Sequence, residues 1–297
     1  MRIAAAAGLT DTGRKRRRNE DAFVCRAPLF AVADGMGGAQ AGEVASRLAA
    51  AAVSEAAPES SGEAAVAALV AEANRRVWQR SLEDMSHSGM GTTITVALAD
   101  LASGTIAIGH VGDSRAYRIR DGALEQLTQD HSLVAELVRR GRLSPEEAET
   151  HPQRSVITRA LGTEEEVQVD LFTVEALPGD LFLLCSDGLT TMVPDEEILS
   201  LAVGSHGALD AAAQALVVAA NAAGGEDNVT VVAFEVEEGE APGEEEVTTV
   251  AEPAPAPEEQ TVEMRRHGAL PGSRLGAFAA IAGTGIAAVL LVWGLKH

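Results

Sequence analysis

Hydrophobic positions along the first 236 residues fall into short blocks separated by Asp-Gly and Ser-Gly pairs. The blocks "DAFVCRA", "LFAVADG", "GTTITVALAD", "GTIAIGHVGDS", "AYRIRDG", "VQVDLFTV", "DLFLLCSDG" and "NVTVVAFEV" are short, apolar and rich in β-branched residues, which predicts strands. Blocks at 42–57, 63–84, 132–140 and 208–221 follow helical spacing. Tight turns join several strands directly, so hairpins and antiparallel pairing are expected instead of βαβ alternation. The pattern predicts an α+β protein with two mainly antiparallel sheets covered by helices. "SPEEAE" from Ser144 reads as a capping box with Pro145 at the first helical position.

The pattern changes after residue 236. Residues 237–273 are rich in glutamate, proline, alanine and threonine, with "EPAPAPEEQ" at the centre, and read as a disordered acidic linker. Residues 274–296 contain a charge-free run, "LGAFAAIAGTGIAAVLLVWGL", bracketed by Arg274 and Lys296. Its length matches the ~20 residues of a membrane-crossing helix. Arg265, Arg266 and Arg274 precede this run and only Lys296 follows it. The positive-inside tendency therefore predicts a single-pass protein of the cell membrane with residues 1–236 in the cytoplasm. No secretory signal is read at the start, where "IAAAAGL" is short and precedes the basic cluster.

A formal net charge of -21 in 297 residues argues against a nucleic-acid partner. The run "RKRRR" at residues 14–18 stands out against that background. Cys25 and Cys185 lie in apolar runs without metal-ligand spacing and read as buried hydrophobes. More telling is the recurrence of acids where apolar runs end: Asp34, Asp113 and Asp187 follow such runs, Asp227 precedes the last one, and Glu20 and Asp21 sit at a similar edge. Buried carboxylates brought together need cations to offset their repulsion. Oxygen donors without nearby His or Cys select Mg²⁺ or Mn²⁺ over Zn²⁺. Two such ions can activate water for phosphoester hydrolysis, and a guanidinium can receive the phosphate.

The blocks "TDTGRKRRRNEDAF", "FAVADGMGGAQAGE", "GMGTTITVAL", "GHVGDSRAYRIRDG", "LTQDHS", "SVITRALG", "LFLLCSDGLT" and "EDNVTVVAF" together resemble the successive motifs of the metal-dependent serine/threonine protein phosphatases of type 2C, in their bacterial form. The resemblance covers nearly all of residues 1–236. It implies an α-β-β-α sandwich and direct attack on phosphoserine or phosphothreonine by a water bridging two Mn²⁺ or Mg²⁺ ions. By position, Asp34, Asp187 and Asp227 would hold the ions, with the Gly35 carbonyl as a further ligand. Glu20 and Asp21 would support them through water, Asp113 with Asp187 would serve a third ion, and Arg16 would bind phosphate. The other cations of the run are read as solvated charges at the site mouth.

Met36 departs from the histidine found after Asp-Gly in many eukaryotic members. Methionine cannot donate a proton, which leaves a water near Asp113 or His131 as the source for the departing oxygen. Other chemistries are excluded by spacing. "ADGMGGAQAG" does not complete G-x-G-x-x-G, no P-loop occurs, and neither cysteine has an arginine six positions later. The competing reading is an idle phosphatase fold acting as a scaffold. Against it, Asp34, Asp113, Asp187 and Asp227 are all present. Thr248, Thr249 and Thr261 follow glutamate-rich pieces of the linker and are candidate phosphosites for a partner kinase and for phosphothreonine-reading proteins. Membrane serine/threonine kinases are the expected substrates of a tethered enzyme.

Overall fold

The computed structural model describes residues 1–37, 41–56, 61–83, 89–204 and 208–239. One sheet has five strands in the order β1 (Arg2–Asp11), β11 (Val229–Glu237), β10 (Leu181–Cys185), β7 (Arg115–Arg120) and β8 (Ala123–Gln126). The other runs β2 (Asp21–Arg26), β3 (Leu29–Met36), β5 (Ile94–Asp100), β6 (Thr105–Val111) and β9 (Asp170–Glu175), with the short β4 (Gly91–Thr92) paired to β3. Every pairing is antiparallel, as the tight turns predict.

The near-continuous apolar character of the central strands follows from burial on both faces. In β3, Phe30 and Val32 point between the sheets, while Leu29, Ala31 and Ala33 face the helices α1 (Ala41–Glu55) and α2 (Glu63–Glu83). In β11, Val232, Phe234 and Val236 fill the inter-sheet layer, and Val229, Val231 and Ala233 pack toward α7 (Leu209–Ala222). Phe234 stacks on Phe30 at 4.0 Å between ring centroids and on Phe182 at 5.1 Å. The layers are therefore helix, sheet, sheet, helix. Two further helices, α5 (Asp187–Thr190) and α6 (Asp195–Gly204), complete the α7 side. Between β8 and β9 the chain makes an excursion carrying α3 (Leu133–Arg139) and α4 (Pro145–Glu149). Ser144 and Glu147 close the capping box expected there.

Several elements differ from the pattern-based reading. "RIAAAAGLTD" is β1, paired with β11 from Arg2 opposite Glu237 to Asp11 opposite Val229, with a bulge between Ile3 and Ala5. Alanine has low intrinsic strand preference, so this strand is imposed by its partner. "GTTITVALAD" divides at Thr93 into β4 and β5, and the strand within "VQVDLFTV" begins only at Asp170. Among the described residues no helix is long and apolar enough to cross a membrane. The predicted span at 274–296, the linker beyond Gly239, and Thr248, Thr249 and Thr261 all lie outside the described residues.

Candidate metal and phosphate site

Five aspartates from both sheets meet at one end of the sandwich. Asp34 and Asp21 face each other in the β3–β2 register, and Asp113 follows β6. From the other sheet, Asp187 opens α5 just after β10, and Asp227 immediately precedes Asn228 and β11. The two sheets are tied together here through Asp21. Its Oδ2 accepts hydrogen bonds from Ser186 Oγ at 2.8 Å and Thr230 Oγ1 at 2.6 Å. Asp34 is fixed through its backbone: its N–H donates to Thr93 Oγ1 at 3.0 Å, and its carbonyl accepts from Thr92 Oγ1 at 2.8 Å.

The electrostatics of this cluster are those of an anionic site in need of cations. Burial first, then the charges of Asp21, Asp187, Asp113 and Asp227, holds the Asp34 carboxyl well above the usual range. Burial raises Asp21 to about 7 against the pull of the Thr230 and Ser186 hydroxyls. Burial and then Asp187 raise Asp113 to about 8, while burial and then Asp227 raise Asp187 to about 6. Asp21 Oδ1, Asp113 Oδ1 and Asp187 Oδ1 are buried without a hydrogen-bond partner. Orphaned carboxylate oxygens are costly unless something positive completes them. An all-carboxylate donor set with free buried oxygens fits a hard divalent ion.

The arrangement is not a finished coordination shell. Among the described residues no three His, Cys, Asp or Glu side chains are grouped as ligands of one ion. Asp187 is within hydrogen-bonding reach of Asp34, and Asp227 Oδ2 accepts from Arg16 Nη2 at 2.6 Å. The acids are neighbours, but some of their oxygens are turned to one another and to the guanidinium.

Arg16 reaches Asp227 because the turn after β1 is locked onto the loop before β11. Gly225 O accepts from the N–H groups of Arg14 at 2.7 Å and Lys15 at 3.1 Å. A Cβ on Gly13 would lie 2.1 Å from Asp227 O, and Gly13 also has φ +79. Only glycine satisfies both conditions. Asn228 holds the far side of the turn: its Nδ2 donates to the carbonyls of Thr12 at 2.9 Å and Arg18 at 2.8 Å, and its Oδ1 accepts from the Glu20 N–H at 2.8 Å. Glu20 in turn accepts from Gly35 N–H through its backbone carbonyl at 3.1 Å. Burial raises the Glu20 carboxyl pKa, with the Arg16 charge opposing. Gly35 packs so closely on the start of α1 that a Cβ there would lie 2.1 Å from Gly42 O.

His131 is committed to structure. Its Nδ1 accepts from Gly112 N–H at 3.0 Å, and its Nε2 meets Asp170 Oδ2 at 3.0 Å. The first bond requires an unprotonated Nδ1, so Nε2 carries the proton and donates to Asp170. Only 2% of the residue is exposed. Burial lowers its pKa, with Asp170 partly offsetting. These contacts favour a structural role for His131 over a proton donor: the ring pins the loop that presents Asp113. Met36 ends β3, opposite Gly91.

The structure brings together all seven residues expected at the metal and phosphate site, Asp34, Gly35, Asp187, Asp227, Asp113, Glu20 and Asp21, with Arg16 beside them. Residue-by-residue reading missed Asn228, Ser186, Thr230 and Thr93. Asn228 and Ser186 adjoin Asp227 and Asp187, and that adjacency was the available signal; Thr230 and Thr93 lie inside quoted motifs without adjoining a site residue.

A two-sheet sandwich with buried oxygen donors and a guanidinium at one end is an arrangement suited to metal-assisted phosphoester hydrolysis. Residues 13–217 match the family model described as protein phosphatase 2C. A serine/threonine phosphatase stp from Listeria monocytogenes is 42% identical over 238 residues, covering 76% of this chain and 93% of that protein. The serine/threonine protein phosphatase PstP of Mycobacterium tuberculosis is 44% identical over 233 residues, covering 77% of this chain and 44% of that longer protein. A crystal structure of the Mycobacterium tuberculosis phosphatase PstP/Ppp superposes with a TM-score of 0.75 at 41% identity, covering 80% of this chain and all (100%) of that one. A PstP catalytic domain in complex with 2 manganese ions superposes at 0.73 with 39% identity, covering 80% of this chain and 99% of that one. The chain belongs to the protein phosphatase 2C family.

Proposed function

We propose that this protein is a protein-serine/threonine phosphatase whose carboxylate cluster holds two Mn²⁺ or Mg²⁺ ions. Asp34, Asp187 and Asp227 are the direct ligands in this reading, with the Gly35 carbonyl beside them. Glu20 and Asp21 act through water, and Asp113 with Asp187 provides for a third ion. The observation that carries it is the set of three buried, unpartnered carboxylate oxygens on Asp21, Asp113 and Asp187 at one end of the sheets. The two manganese ions in the related PstP catalytic domain support the choice of metal. Bound there, the ions would lower the pKa of water and offset charge on the phosphoryl oxygens.

The chain's own residues then orient the substrate. Arg16 is placed to exchange its contact with Asp227 for a paired contact to two phosphoryl oxygens. Ser186, Thr230 and Thr93 keep Asp21 and Asp34 from reorienting. Water oxygen bonds to phosphorus, the bond from phosphorus to the serine or threonine oxygen breaks, and that oxygen takes up a proton. The products are inorganic phosphate and an unmodified hydroxyl side chain.

The sequence pattern beyond residue 236 supports a wider reading: an acidic linker at 237–273 and a membrane-crossing helix at 274–296, with the catalytic domain in the cytoplasm. Phosphoproteins at the membrane, serine/threonine kinases among them, are then the substrates met at highest effective concentration.

Phosphate release from a phosphothreonine peptide tests the activity. Release by the full chain with Mn²⁺, abolished by chelator and reduced at least ~100-fold in Asp187→Ala, is expected. Equal turnover by Asp187→Ala would sink the site assignment.

A further inference from the structure

The turn that delivers Arg16 also displays Arg14, Lys15 and Arg17 in solvent, and these three form no ion pair among the described residues. The chain carries 44 acidic and 23 basic residues. Arg2, Arg47, Arg75, Arg118, Arg120 and Arg140 each sit against a carboxylate. The backbone that carries these three cations is held in place. The backbone of the turn is bonded to Gly225 at Arg14 and Lys15, and to Asn228 at Thr12 and Arg18. The backbone position of the turn is therefore set relative to Asp227.

We infer that Arg14, Lys15 and Arg17 form a docking subsite for acidic residues flanking the phosphorylated side chain, so that the enzyme prefers phosphothreonine in glutamate-rich sequence. The inference rests on the phosphatase reading and names its substrate class. A peptide whose phosphoryl group lies beside Arg16 carries its neighbours outward at about 3.4 Å per residue. Residues two to four positions from the phosphothreonine then lie about 7–14 Å away, within reach of long cationic side chains on the same turn. Attraction at this rim acts on capture of the peptide more than on its chemistry. The chain contains sequences of this kind in "EEEVTTV" at 244–250 and "EEQTVEM" at 258–264, where glutamates closely precede Thr248 and Thr261.

The test compares the phosphopeptides GEEEVpTTV and GQQQVpTTV with the full chain and Mn²⁺, for wild type and for Arg14→Gln/Lys15→Gln/Arg17→Gln. Wild type should favour the acidic peptide roughly five- to tenfold in kcat/KM at low salt, mostly through KM. The ratio should fall toward one in the triple variant and in wild type at high salt. Because the readout is a ratio within one enzyme, loss of folded protein in the variant cancels. Equal kcat/KM for the two peptides in wild type overturns the docking subsite and leaves the phosphatase reading intact. A ratio that persists in the triple variant overturns it as well, and hydrolysis of neither peptide by wild type overturns both.

Discussion

At the scale of single residues, Arg16 and His110 act for opposite reasons. Arg16 is half-exposed, and its planar fork would act by geometry, matching phosphate as it now matches carboxylate. Arg16→Lys keeps the charge and loses the fork, so kcat/KM on a phosphothreonine peptide should fall about 10- to 100-fold in steady-state assays; an unchanged value would exclude paired binding. His110 is fully buried beside His131 and meets Thr95 Oγ1 at 2.9 Å and the Gln129 carbonyl at 3.2 Å. Burial, then the His131 charge, pushes its pKa down to about 4 from 6.5. The unfolded chain therefore binds this proton first as pH falls. The stabilisation is complete above about pH 6.5 and is lost on approach to pH 4. Denaturant melts at pH 7.5 and pH 5 should show His110→Gln losing about 2 kcal/mol less than wild type across that interval. Equal losses would show that His110 is not the acid-sensitive group.

At the scale of elements, the strand ends govern the site. Gly35 lets the tip of β3 meet the start of α1, and a Cβ would fall on the backbone at Gly42, which cannot yield as a flexible side chain would. Gly35→Ala should weaken Mn²⁺ binding measured by calorimetry about tenfold or more and lower the melting temperature; wild-type affinity would show that the close approach is dispensable. The central strands and the four long helical blocks were legible because period-two and period-3.6 patterns persist where both partners are apolar. β1 was not, since its alanines carry no strand signal until β11 supplies the register. The acids were legible as a set because each sits at an edge of an apolar run. What holds them in place was not. Ser186, Thr230 and Asn228 make contacts across more than 160 positions of sequence, such as Ser186 to Asp21 with a separation of 165. Small polar residues next to a motif look alike whether they orient a ligand or face water.

At the scale of the whole molecule, β11 carries the chain away from the site. Asp227 stands at its start and Glu237 at its end, about 30 Å apart for a strand of this length. From Glu237 an extended chain reaches up to about 37 Å at Thr248 and about 80 Å at Thr261. A phosphothreonine at position 261 would therefore have contour length to spare for the carboxylate cluster, and one at position 248 barely enough. If a kinase marks both, removal from Thr261 should be first order and independent of enzyme concentration, and removal from Thr248 should speed up with concentration. Mass spectrometry across a dilution series checks this, and identical concentration dependence at the two sites would contradict it.

The central claim is that the buried carboxylates gather to hold divalent ions for phosphoester hydrolysis. Titrating Mn²⁺ into the metal-free full chain while following both heat and phosphate release from a phosphothreonine peptide tests it most directly. Activity should rise as two ions bind per chain and should be lost, together with the binding heat, in Asp187→Asn. Full turnover in excess chelator, or undiminished binding and turnover in Asp187→Asn, would contradict it.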